Sequence, residues 1–335
     1  MSFDAIIGQQ KAIGFLRRIL SSGRIPSALL FLGPADVGKR STALQLAKAL
    51  NCRAVPGEGC DQCPTCRKID AGVHPDVEVI EADGRFIKID QVRGLAGRLA
   101  LIPFEASRRV IVIAGAEKMN IQSANAFLKT LEEPPEDTLL VLTAVTVADL
   151  LETVVSRCLP VRFAPLGEET VRAVFAGREG VSGEDGLAGE ELEFAVSYAQ
   201  GRLRPGLRNN AGRLMMLRDE MLELLQGIER LPFDEVGEKV DKWSRRDDGE
   251  FILETLEAWF HDVALLSAGG GEKRIVNRDR MEALRQWSHR LPGLRADACY
   301  RKVLELRSAS EVNVNKSLAM EDLWFTVKHN ALPLA

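Results

Sequence analysis

The sequence predicts an α/β fold: a parallel sheet carrying a phosphate-binding loop, then a small helical segment, then an all-helical C-terminal region. Three observations carry this. Apolar runs that read as buried strands alternate with helical periodicities through the first part of the chain. A Gly-x-x-x-x-Gly-Lys segment follows the first of those runs directly. Four cysteines crowd into one loop that interrupts the alternation. Strands alternating with helices imply a parallel sheet covered on both faces.

Residues 9–21 read as a helix, with Ala12, Ile13, Leu16, Ile19 and Leu20 on one face. Ala28 to Leu32 is a continuous apolar run of the kind a buried parallel strand requires. A helix is expected from about Lys39 to Leu50, and Val77–Ile80 and Val110–Ile113 read as the next two strands. Ser123 to Leu131 is helical and is stopped by Pro134-Pro135, because the residue before a proline is driven out of the helical region. Leu139–Thr143 is a fourth strand. A glycine- and acid-rich stretch, Gly177 to Glu193, precedes a shorter helical segment, and from about Asn209 the pattern is helical throughout. Phe251, Ile252, Leu256, Trp259, Phe260 and Val263 form one apolar stripe, ended by Gly269-Gly270-Gly271. There is no tandem repeat.

Cys52, Cys60, Cys63 and Cys66 give the spacing C-x7-C-x2-C-x2-C. Each C-x2-C pair puts two thiolates on one side of a tight turn, and four thiolates close a tetrahedron around zinc. Two other readings compete. A redox C-x2-C pair needs two cysteines and not four. An iron–sulfur cluster also uses C-x2-C-x2-C, but the C-x3-C-P that follows it in ferredoxin-type runs is absent. A closed four-thiolate zinc site has no open coordination position and is structural. Cys158 and Cys299 stand alone and are expected in the core. His74 is a spare ligand candidate, and His261, among Trp259, Phe260 and Val263, is expected to be a core or interface histidine.

The loop Gly33-Pro34-Ala35-Asp36-Val37-Gly38-Lys39 lies between a strand and a helix, the correct context for a phosphate site. Its amides and the helix N-terminus are disposed to face an anion, with Lys39 placed to reach phosphates. Yet Arg40 occupies the position whose hydroxyl normally binds Mg2+, and Ser41 is turned about 100° round the helix. The acidic pair that normally ends the next apolar strand is replaced by Ala114-Gly115; Glu117, three residues late, reads as a solvated residue at a helix start. Two independent magnesium contacts are lost, so this is a degenerate nucleotide site at which no ATP turnover is expected.

The net charge, −4 from 44 Lys+Arg and 48 Asp+Glu, makes the chain a poor stand-alone polyanion binder, because nucleic-acid affinity comes mainly from neutralised phosphates; a nucleic-acid role needs a local basic surface or partner subunits. No run approaches the ~18 apolar residues of a membrane span. The first residues lack a basic region followed by an apolar run, so no signal peptide and a cytoplasmic location are expected.

Gly8-Gln9, the altered phosphate loop, the four-cysteine insert, Ala124-Asn125-Ala126-Phe127-Leu128-Lys129-Thr130-Leu131-Glu132-Glu133-Pro134-Pro135 and Ser156-Arg157-Cys158 occur in that order. Together they resemble the bacterial clamp-loader AAA+ family over about residues 5–165. The Gln200-Gly201-Arg202-Leu203-Arg204 region resembles the family's lid motif, and Asn315-Lys316-Ser317-Leu318-Ala319-Met320-Glu321 lies in a region resembling its collar. The resemblance implies three domains: an AAA+ core over 1–165 with the zinc module at about 52–66, a lid over 166–208, and a helical collar over 209–335. It implies a hetero-oligomer, a pentamer of clamp-loader subunits within a DNA polymerase III holoenzyme, which opens a sliding clamp and places it on primed DNA.

By the same resemblance, Arg157 is an arginine finger acting in trans on a neighbour's ATP. Gly33, Gly38, Lys39 and Arg204 are what remains of a nucleotide site in cis, with Arg204 either sensing nucleotide or serving an interface. Lys88, Arg93 and Arg98 read equally as a DNA-facing helix and as a solvated face. The alternatives are an active clamp-loader ATPase subunit of gamma/tau type, against which Arg40, Ala114 and Gly115 argue, and a DNA-repair AAA+ adaptor on the same core.

Overall fold

The computed structural model describes residues 3–99, 102–177, 186–228, 249–310 and 316–331, together with positions 230, 232, 235 and 238. Residues 178–185 of the acid-rich stretch, much of the region expected to be helical between 229 and 248, and Asn315 lie outside the described residues. The chain divides into two compact units. The first holds residues up to Val174 together with Gly201–Leu203, and the second holds most of the remainder.

The first unit is built on a five-stranded parallel sheet of order β2-β3-β4-β1-β5. Its strands are β1 (Ala28–Leu32), β2 (Val77–Ile80), β3 (Arg109–Ile113), β4 (Thr138–Ala144) and β5 (Leu159–Arg162). Strand β1 lies between β4 and β5, with Leu30 opposite Leu142 on one side and Pro160 on the other.

Helices α1 (Gln10–Ser22) and α2 (Lys39–Asn51) follow the periodicity of the sequence; α3 (Pro64–Asp70), α4 (Ile89–Leu99), α5 (Ile121–Glu132) and the short α6 (Glu152–Val155) complete the covering. Side chains alternate along each strand. Leu29, Phe31, Val110, Val112, Leu139 and Val141 face Ile13 and Leu16 of α1 and Ala43, Leu46 and Ala47 of α2. Leu30, Ile111, Ile113, Leu140 and Leu142 face Val92 and Leu95 of α4 and Phe127 and Leu131 of α5. Both faces are dry, which is why β1, β3 and β4 are apolar without alternation.

The fifth strand is absent from the sequence-based reading, and its position explains why. It is an edge strand with one buried residue, Val161, and it carries Pro160, which an edge tolerates because no ladder donor is needed there. Its sequence therefore has neither an apolar run nor an alternation.

The described part of the second unit is helical. Its principal helices are Gly189–Ala199, Ala211–Gly227, Gly249–Ser267, Met281–Arg290, Gly293–Ser310 and Lys316–Ala331. The stripe predicted on Gly249–Ser267 is buried, and Trp259 meets Trp287 edge-on at 6.4 Å. A buried polar knot ties the unit together. The Asp262 carboxylate accepts from the amides of Val276 and Asn277 and from Asn277 Nδ2, and the Tyr198 hydroxyl donates to Asn277 Oδ1 at 2.6 Å. Burial pushes the Asp262 carboxyl upward against those donors. Arg218, also buried, donates to Asp279 at 2.7 and 3.0 Å. No described helix is long and apolar enough to cross a membrane.

Candidate functional site

Strand β1 delivers the phosphate loop onto the start of α2. Gly33 sits at φ +153°, where a Cβ would come within 2.2 Å of the Phe163 carbonyl oxygen, so glycine is required by the closeness of the chain after β5. Gly38 caps α2 at φ +94°. Gln9, just before α1, fastens the loop: its Nε2 donates to the carbonyls of Val37 (3.2 Å) and Ala164 (2.8 Å), while its Oε1 accepts from the Ala164 amide. The lid-like segment also meets the loop, the Leu203 amide donating to the Asp36 carbonyl at 2.8 Å.

Within the loop Lys39 is nearly buried, and its ammonium donates to the carbonyls of Gly33 and Pro34 at 2.5 Å each. Burial lowers its pKa more than the negative charges of Glu117 and Asp36 raise it. Two of the three ammonium donors are thus spent on the loop's own backbone. Arg40 leaves the loop, donating from Nε to Glu81 Oε1 at 2.8 Å, and Ser41 is exposed. After β3 the Gly115 amide donates to Thr143 Oγ1 at 3.0 Å.

The expectation that Glu117 is solvated is corrected here. It stands at the start of a short 3-10 turn, Ala116–Lys118, but one carboxylate oxygen, Oε2, is buried without a hydrogen-bond partner among the described residues, and its charge acts on Lys39. The turn folds it back toward the loop, which the lateness of its position in sequence conceals.

The four thiols converge. The Sγ atoms of Cys52, Cys60, Cys63 and Cys66 lie within 4.8 Å of one another, with Cys52 and Cys63 3.9 Å apart. A tetrahedron with 2.3 Å metal–sulfur bonds has edges of about 3.8 Å, so the donor set fits a closed four-thiolate centre. The local chain explains the convergence. Cys52 is the C-cap of α2, its amide donating to the Lys48 carbonyl at 2.7 Å, and Cys63 is the N-cap of α3, with Pro64 in the first turn. Amides reach the sulfurs from Val55, Cys63 and Cys66. The amides of Cys63 and Gln62 pull the Cys60 thiol down to about 6, whereas burial pushes Cys66 up to about 12. Lys48, almost buried, spans to Asp61 and Asp70 at 2.5 Å each and pins the module to α2.

His74 is not part of the cluster; it is buried, and its Nδ1 accepts from the Asp76 amide at 3.1 Å. Cys158 and Cys299 are buried as expected, and burial raises their thiols to about 11 and about 12. Of the two places expected for His261, core or interface, the core is excluded, its side chain being 44% exposed beside Tyr300.

Arg157 stands just beyond α6. Its Nη1 donates to the Thr153 carbonyl (2.9 Å) and Ser156 Oγ (3.3 Å), and its Nη2 donates to Glu132 Oε1 (2.7 Å) at the end of α5. Glu132 is a partner the sequence reading missed; its one visible signal is membership of the Leu131-Glu132-Glu133 segment. Arg204 belongs to the second unit and donates to Glu254 Oε2 at 2.6 Å. Of the basic residues around α4, Lys88 is paired with Asp83 and Arg98 with Glu78, leaving Arg93 exposed.

Comparison with known proteins gives a consistent result. Residues 8–167 match the family described as "DNA polymerase III, delta subunit", and residues 223–328 match "DNA polymerase III, delta subunit, C terminal". The chain is 28% identical over 331 residues to the DNA polymerase III subunit delta' of Bacillus subtilis, covering 94% of each. It is 41% identical over 134 residues to the delta' subunit of Pseudomonas aeruginosa, covering 39% of this chain and 41% of that one. It is 34% identical over 209 residues to the tau subunit of Escherichia coli, covering 62% of this chain and 32% of that longer one. With its parallel α/β core, its phosphate-type loop and its helical C-terminal part, the chain belongs to the clamp-loader subunit family of DNA polymerase III.

Proposed function

We propose that this chain is a non-hydrolysing, delta'-type subunit of a bacterial clamp loader, which helps place a sliding clamp on primed DNA and lends Arg157 to a neighbouring ATPase subunit. The observation that carries the reading is the state of the phosphate loop. The hydroxyl position is Arg40, which pairs with Glu81; no carboxylate directly follows β3; and Lys39 is held by the carbonyls of Gly33 and Pro34. A phosphoryl-transfer site works by positioning and charge neutralisation, and here neither usual protein contact to the metal stands at its sequence position.

In this reading the core over 1–165 is a scaffold, 166–208 is a lid whose Arg204 retains at most a cis nucleotide or interface role, and 209–335 is the collar that holds a hetero-oligomer together, a pentamer of such subunits. The four thiolates hold a structural zinc ion, which joins the end of α2 to α3 and does no chemistry. The subunit acts in the cytoplasm. Arg157 contributes a fixed positive charge where charge spreads on a transferring phosphoryl group, an effect worth ~10³–10⁵ in rate in other systems.

The test is reconstitution with active partner subunits, clamp and primed DNA. The isolated chain is expected to turn over no ATP. Arg157→Ala is expected to leave assembly intact and to slow hydrolysis by the complex; a complex rate unchanged by Arg157→Ala counts against the finger.

A further inference from the structure

We propose that Glu132 is a positioning residue for Arg157, its carboxylate fixing the guanidinium in the orientation from which a neighbouring subunit's ATP is reached; this rests on the trans-acting role proposed above for Arg157. The contacts divide the work. Thr153 and Ser156 are local to the helix end and engage Nη1, so they hold one corner of the guanidinium against its own helix. Glu132, 25 residues away in sequence, engages Nη2 and sets the direction of the guanidinium plane. Nε–H makes no hydrogen bond among the described residues and is, in this proposal, the donor left for a phosphoryl oxygen. A guanidinium presents its donors as a rigid planar fork, so fixing one nitrogen from a distant element aims the others.

Glu132 stands on firm ground. It ends α5, whose Phe127 and Leu131 are buried in the core and whose start is capped by Asn120 Oδ1 accepting from the Ser123 amide at 2.8 Å. The ion pair itself is partly exposed, with side chains 35% and 49% accessible. A pair of that kind adds little to stability. Its effect is on geometry: with Nη1 alone held, the guanidinium can pivot about that one corner. A misplacement of about 1 Å in a charge that must meet a transition state lowers the rate by up to about 10²-fold. The adjacent Glu133 is exposed, and its side chain makes no polar contact among the described residues, which makes it the natural control.

The experiment uses the full chain in a reconstituted clamp loader in which only the neighbouring subunit's phosphate loop remains active. The rates read are kcat and KM for ATP with clamp and primed DNA. Glu132→Gln, which keeps the shape and removes the charge, is expected to lower kcat by about tenfold with KM little changed. Glu132→Asp recovers part of the loss, and Glu133→Gln changes nothing. In an Arg157→Ala background Glu132→Gln is expected to have no further effect, because both act through one group.

Three outcomes overturn the proposal: a rise in kcat on Glu132→Gln, which makes the carboxylate a competitor for the finger; a loss that persists undiminished in the Arg157→Ala background, which makes Glu132 merely structural; or no change at all. If Arg157→Ala is itself silent, the finger fails and the proposal with it, and that arm separates the two failures. Should Glu132→Gln fail to assemble, Glu132→Ala in the parent and Arg157→Ala backgrounds supplies the comparison.

Discussion

Replacing Asp76 by alanine is expected to destabilise the first unit by several kilocalories. Asp76 is 1% exposed and follows directly on the loop after α3. Its carboxylate accepts from the amides of Phe104 (2.9 Å), Glu105 (2.8 Å) and Ala106 (3.0 Å) and from Arg109 Nη2 (3.3 Å). Arg109 is itself buried, with further donations to the carbonyls of Arg98 and Ile102. Asp76→Ala therefore takes the carboxylate from a buried guanidinium and orphans three amides. Removing one partner of a buried pair costs about 3–5 kcal/mol. For a unit of this size each kilocalorie moves the melting point by about 2–4 °C, so a fall of about 6–20 °C is expected.

The pH dependence adds a second arm. Burial alone raises the Asp76 carboxyl, but the three amides and Arg109 outweigh it and hold the group below the usual carboxylate range. A depressed carboxyl contributes stability above its unfolded value of about 3.9, and that contribution is lost as pH falls through the folded value. The margin of the unaltered chain over Asp76→Ala should thus be full near neutrality and shrink below about pH 4. Thermal melts followed by circular dichroism at several pH values measure both. A shift under about 2 °C, or a margin that does not shrink in acid, refutes the argument from these contacts.

Elemental analysis is expected to find one zinc per chain; chelation or Cys63→Ser should lower the melting temperature, whereas iron with visible absorbance refutes the zinc assignment. Gly33→Ala is expected to destabilise the fold by more than about 2 kcal/mol, because the new methyl meets the Phe163 carbonyl oxygen at 2.2 Å; a denaturant midpoint equal to that of the parent chain counts against this close approach.

What was legible in the sequence was local or fully buried. Strands β1, β3 and β4 announce themselves because both sheet faces are covered, so their residues are largely apolar in continuous runs, and the edge strand β2 keeps enough of the pattern, Val-Glu-Val-Ile, to be read. The thiolate cluster is legible because its ligands fall within one loop and the two caps that flank it. Strand β5 was hidden by its edge position. The pairings Arg40–Glu81, Arg157–Glu132 and Arg109–Asp76 join residues 41, 25 and 33 positions apart, so no spacing rule exposes them. They follow from the strand order, which sets side by side elements far apart in the chain. Glu117 was misread for a related reason: a 3-10 turn reverses its direction, and linear counting from the strand end takes no account of that.

Helix α2 begins at the phosphate loop and ends at Cys52, so thirteen residues form a rod about 20 Å long with an anion-type cradle at one tip and a sulfur ligand at the other. Both tips are clasped, by Gln9 through Val37 at the first and by the Lys48 bridges at the second. One helix therefore joins the cradle to the four thiols, so a shift of α2 along its axis would move both ends together.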